Sequence, residues 1–157
     1  MAVVLENSQL VWKKVKNALA NANPAHQAAF KGLKEYLSTQ GRNPDLQFIS
    51  YSEVSTLTDL DVTAAASKVY GWYGKAARTS GTTSSFVTLH AAATNDATTT
   101  SIASNRIKAA GQTFANVWPT GLACETGLAI SSATTVAGAT ASTTPDGADG
   151  FVIVGAA

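Results

Sequence analysis

Eight consecutive residues, Ser67-Lys68-Val69-Tyr70-Gly71-Trp72-Tyr73-Gly74, hold three aromatics, a β-branched residue and two glycines. No other stretch of the chain is so dense in strand formers. Such a segment reads as a central strand, and the Thr/Ala-rich chain that follows needs one to fold onto. Gly71 and Gly74 mark close packing or a bulge within it.

The residues around it carry the same signature more weakly. Leu46–Tyr51 reads as a strand, and Val54–Val62 as a weaker one at an edge. Ser85–Ala91 alternates cleanly, with Val87, Leu89 and Ala91 on one face and Phe86, Thr88 and His90 on the other. Ile102–Ala109 follows, then a turn at Ala110-Gly111 and an alternating strand Gln112–Trp118 that Pro119-Thr120-Gly121 should end. Leu128–Ser132 and an apolar closing strand, Gly150–Val154, complete the set, with a weak strand and turn over residues 133–148. Seven or eight short strands with no helical pattern between them predict a mainly β fold, an antiparallel sandwich or jelly roll. Its expected core is Val69, Trp72, Val87, Leu89, Phe114, Trp118 and Val152.

Before Asn43-Pro44-Asp45 the hydrophobic period is 3.6 rather than 2. Val11, Val15, Ala18 and Ala22, with Trp12 and Leu19 beside them, predict a helix over residues 8–22. Asn23-Pro24 supplies an N-cap and a first helical residue. A second helix should run over 24–40 with Ala29, Phe30, Leu33, Tyr36 and Leu37 on its apolar face, and Gly41 just past its end. Residues 1–5 look extended. The division is therefore a helical arm or helix pair, 1–45, and a β body, 46–157.

Charged residues are only 13% of the 157-residue chain, about half the usual share. The surface must be largely Thr, Ser, Ala and Gly, which suits packing against copies or neighbours better than ionic steering. A net charge of +1 gives no global case for nucleic acid or anionic membrane. Residues 1–45 nonetheless carry six Lys/Arg against three Asp/Glu, and the rest five against seven. No apolar stretch approaches the roughly 18 residues of a membrane span. The N-terminal stretch lacks the basic start of a signal peptide, and the chain reads as a product of a reducing cytoplasm.

Little in the sequence points to catalysis. Neither His26 nor His90 has a Cys, Asp or Glu at metal-ligand spacing. Asp59-Leu60-Asp61 lacks the further oxygens of a calcium loop. There is no Gly-x-Ser-x-Gly elbow and no phosphate-binding loop, and no cofactor is expected. Cys124 is the single cysteine, so no intrachain disulfide forms. Trp72, Tyr73 and Trp118 could line a sugar-binding face, but inside alternating strands they read as core. Lys13, Lys14 and Lys16 read as the solvated face of the first helix. The apolar Val3, Val4 and Leu5, with Trp12 and those lysines, are the candidate partner-binding residues of the arm.

From Lys68 onward the order of strands resembles a β-sandwich module of tailed-bacteriophage virion proteins. The residues that carry the resemblance are Lys68–Trp72, Phe86–His90, Gly111–Phe114, Gly127–Ala129 and Gly150–Val154. The resemblance, from Ser67 on, covers a little over half the chain, and residues 1–66 match nothing comparable. The resemblance implies a non-enzymatic capsid decoration (cement) protein on the virion surface, assembled in the host cytoplasm. Its partners would be the major capsid protein and copies of itself, a trimer being favoured. A glycan-binding fibre module and a head–tail adaptor or tail piece are the alternatives. An arm that only attaches should be removable without unfolding the body.

Overall fold

The computed structural model describes residues 2–41, 46–51, 60–63, 67–76, 85–91, 101–125, 127–133 and 148–156. Two helices precede eight strands: α1 (Ala2–Ala18), α2 (Pro24–Thr39), β1 (Gln47–Tyr51), β2 (Leu60–Thr63), β3 (Ser67–Ala76), β4 (Ser85–His90), β5 (Ser101–Ile107), β6 (Thr113–Cys124), β7 (Leu128–Ala133) and β8 (Ala148–Ala156). The fold is mainly β, as the alternating pattern predicts. The strands form two antiparallel sheets, ordered β1-β8-β3-β6 and β2-β7-β4-β5. First pairs with last (β1·β8), then β2·β7, β3·β6 and β4·β5, and the two sheets are completed by β3·β8 and β4·β7.

One apolar cluster draws on both sheets and holds them face to face. It contains Val69, Trp72, Val87, Leu89, Phe114 and Val152, with Ile107, Cys124, Leu128, Ile130 and Val154. Trp118 is only partly buried and packs at its margin. Trp72 is 0% exposed and meets Phe114 edge-on, ring centroids 4.8 Å apart. Its indole Nε1–H donates to the Tyr51 hydroxyl at 2.9 Å, which in turn donates to the Tyr73 carbonyl at 2.9 Å. Burial raises the Tyr51 pKa well above the ordinary tyrosine value, Asp149 and Tyr73 adding to the rise and the Trp72 hydrogen bond opposing it.

Strand β3 does not alternate throughout. Val69, Trp72 and Ala76 face the other sheet, while Tyr70 and Tyr73 face away. The register explains the slip. From Val69 to Gly71, β3 takes two steps where β8 takes one, Val154 to Ile153. Tyr70 is thus the extra residue of a bulge, and Tyr70 and Gly71 both turn outward. Across the same two steps the edge strand β6 runs from Leu122 to Val117. Pro119-Thr120-Gly121 therefore loops out of β6 instead of ending it. Pro has no N–H to offer a ladder, and an edge strand can spare one. Gly121, at φ +86°, takes the left-handed backbone that this loop requires.

The helices are a third layer, not an arm. Val11, Trp12, Val15 and Leu19 of the α1 segment join Phe30, Leu33 and Leu37 of α2 in a second cluster with Leu46, Tyr70, Tyr73, Phe151 and Ile153 on the outer face of the β1-β8-β3-β6 sheet. Phe151 sits at its middle, with Phe48, Phe30 and Tyr73 ring centroids 4.8, 5.2 and 5.5 Å away. Gly71 makes the seat for α2: a Cβ there would lie 2.6 Å from Phe30 Cε1 and 3.1 Å from Leu33 Cδ2.

Several boundaries differ from expectation. α1 begins at Ala2, so residues 2–5 are helical rather than extended. Ala18 is exposed, because the buried stripe is Val11-Val15-Leu19 with Trp12, wide enough without it. Tyr36 is likewise 39% exposed. The N-cap is as read: Asn23 Oδ1 accepts from the Ala25 amide at 2.8 Å, and Pro24 opens α2. Gly41 follows at φ +67°. Val54–Asp59, Arg78–Thr83, Asn95–Thr100 and residues 134–147 lie outside the described residues.

Candidate functional site: a lysine-rimmed groove on the helical layer

Two helical segments laid on one sheet leave a furrow between them. Here Ala20 and Asn17 of the α1 segment face Gln27 of α2 across such a furrow, a groove of about 580 Å³. Its floor is apolar: Trp12, Val15, Leu19 and Phe30. Its rim is cationic: Lys16 from α1, Lys31 and Lys34 from α2, all exposed. No carboxylate is among the lining residues. Gln27 Nε2 donates to the Leu19 carbonyl at 2.7 Å and ties the first turn of α2 to the end of the α1 segment.

One floor residue is unsatisfied. Trp12 is only 7% exposed, and its Nε1–H has no acceptor among the described residues. A buried, unpaired donor costs about 1–3 kcal/mol. Trp12 thus has two roles. Its ring packs in the cluster beneath the helices, and it also lines the groove.

The other partner-binding candidates scatter. Lys14 lies on the opposite side of α1, its Nζ 5.9 Å from the Phe48 ring centroid. It helps line a second hollow of about 230 Å³ with Leu10, Val11, Gln47, Phe48 and Ile49. Leu10 is 47% exposed there. Lys13 is exposed and lines neither hollow. Val3, Val4 and Leu5 stand in the first turns of α1, with side chains outside the described residues. Lys31 and Lys34 were not singled out by sequence. The signal was there: with Leu33 and Leu37 buried, period 3.6 puts Lys31 and Lys34 on one flank of α2.

The strands offer one arrangement of catalytic residue types. His90 Nε2 and Ser131 Oγ are 2.7 Å apart across β4 and β7. Both side chains are wholly buried, and mutual hydrogen bonding of buried polar groups accounts for the pair. Thr88 and Ser104 pair similarly at 3.0 Å. The expected outward face of β4 is therefore buried at Thr88 and His90, as well as its core face. Cys124 is buried, and burial pushes its thiol up to about 11, away from thiolate chemistry. Among the described residues no group of three or more His, Cys, Asp or Glu could hold a metal, and no helix is long and apolar enough to cross a membrane. Of the aromatics considered for a sugar face, Trp72 and Tyr73 are buried and Trp118 alone is partly open. The chain matches no family model, no curated protein and no solved structure.

Proposed function

We propose that this chain is a non-enzymatic virion structural protein, a capsid decoration (cement) protein of the tailed-bacteriophage kind, with a jelly-roll body. The strand order carries the reading. Pairing 1·8, 2·7, 3·6 and 4·5 is what results when one long antiparallel ribbon is rolled into two sheets. Jelly rolls of eight strands recur in viral capsid and lectin domains. The low charge of the chain supports repeated contact with like surfaces, and the resemblance of Lys68–Val154 to phage virion sandwiches gives the direction.

In this reading the helical layer faces the shell. Its two helices carry five of the chain's eleven Lys/Arg, and both hollows border them. The coat subunit is the partner, with copies of the chain, favoured as trimers, filling the lattice. Nucleic acid and membrane are not partners. Many weak contacts, repeated over a shell, give avidity that one contact lacks. Mass measurement of purified particles tests this. A copy number comparable to that of the coat protein is expected. A copy number of about a dozen or fewer, as a ring at a vertex or tail would give, overturns the decoration role.

A further inference from the structure

We propose that the α1–α2 groove docks a short acidic stretch of the partner protein, its apolar side chains on the Trp12–Phe30 floor and its carboxylates on Lys16, Lys31 and Lys34. The inference rests on the reading of the helical layer as the attachment face and adds the chemistry of what it grips. Two observations converge. The floor is apolar and between two helices, the geometry in which an amphipathic segment is received. The three rim cations have no carboxylate among the residues lining the groove with them. A basic partner would meet three like charges, and a purely apolar one would bring no counter-charge to them. The groove is open to solvent and its volume falls in the range of specific binding sites, so a chain can enter without the helices parting.

The test uses the full chain and a fluorescein-labelled decapeptide alternating Glu and Leu, read by anisotropy, with a Lys-for-Glu decapeptide as the control. The acidic peptide binds, more weakly at high salt, and the basic one does not. Combined Lys16→Glu, Lys31→Glu and Lys34→Glu weakens the acidic peptide about tenfold or more and admits the basic one. Equal binding of the two peptides, no binding of either, or no change on charge reversal overturns the proposal. Should the reversed variant lose its fold by circular dichroism, the corresponding Lys→Gln set must lose binding with the fold intact. Particle occupancy separates the two readings. Charge-reversed protein that still decorates shells removes the groove and leaves the decoration role. Peptide binding by a protein that never co-purifies with shells removes the decoration role and leaves the groove.

Discussion

At the scale of the residue, the most consequential side chain is Tyr51. It ends β1, yet its hydroxyl bridges the Trp72 indole and the Tyr73 carbonyl inside the body. Tyr51→Phe leaves that donor and acceptor buried without a partner and should cost about 2–3 kcal/mol in urea denaturation. Trp72→Ala removes the largest wholly buried side chain and should cost about 3–5 kcal/mol. Two buried titrating groups give a pH signature. Cys124 rises from 9.0 to about 11, and Tyr51 rises above 10.0. In each the folded state keeps a proton that the unfolded chain releases, so stability is full below about pH 9 and falls as pH climbs beyond it. In Cys124→Ala the decline should begin about a unit later, from tyrosine alone, in melts taken across that range. The native thiol should also resist an exposed-thiol reagent at pH 8 and react once the chain is unfolded.

At the scale of the element, helices and sheet are fitted through glycine. Gly71→Val would drive a side chain into Phe30 and Leu33 and should cost about 2–3 kcal/mol through lifting α2. Asn23→Ala, which removes only the cap of the same helix, should cost about 1 kcal/mol. Comparing the two in thermal melts separates seating from capping. Elements were the most legible level in the sequence. β3 falls on the aromatic stretch that announces it, and α2 lies between the Asn-Pro and Gly signals that frame it. Two features were harder to read. Pro119 and Gly121 are strand breakers by chemistry, and only knowing that β6 is an edge makes a loop-out the answer. The helical layer was hidden in plain composition. Phe151-Val152-Ile153-Val154 and Trp72-Tyr73 are apolar on successive residues. A strand apolar on both faces needs cover on both, and α1 and α2 are the available cover. The groove was half legible, through Trp12 and Lys16, because its other wall depends on how two helices meet.

At the scale of the whole molecule, the helices cannot be detached from the body they cover. Val11, Trp12, Val15 and Leu19 each contribute about 1.5–3 kcal/mol by burial. Together these rival the 5–15 kcal/mol by which a whole domain is stable. Deleting residues 2–18 should therefore give an aggregating or unfolded product, detectable by sedimentation and by binding of an apolar dye, and not a trimmed functional body. The proposed attachment is tested with exposed residues, Lys31 and Lys34 first.

The pairing of the first strand with the last sets the timetable of folding. A ribosome delivers α1, α2 and β1 well before β8, the strand that lies between β1 and β3. Until then β1 has no neighbour, and the helical stripe has no Phe151 or Ile153 to rest on. Folding of this sheet must wait for β8, and its contacts of long sequence separation place it among slow folders, on the millisecond-to-second scale. During that interval the apolar stripe of the helices is left uncovered, the kind of surface by which partly made chains aggregate.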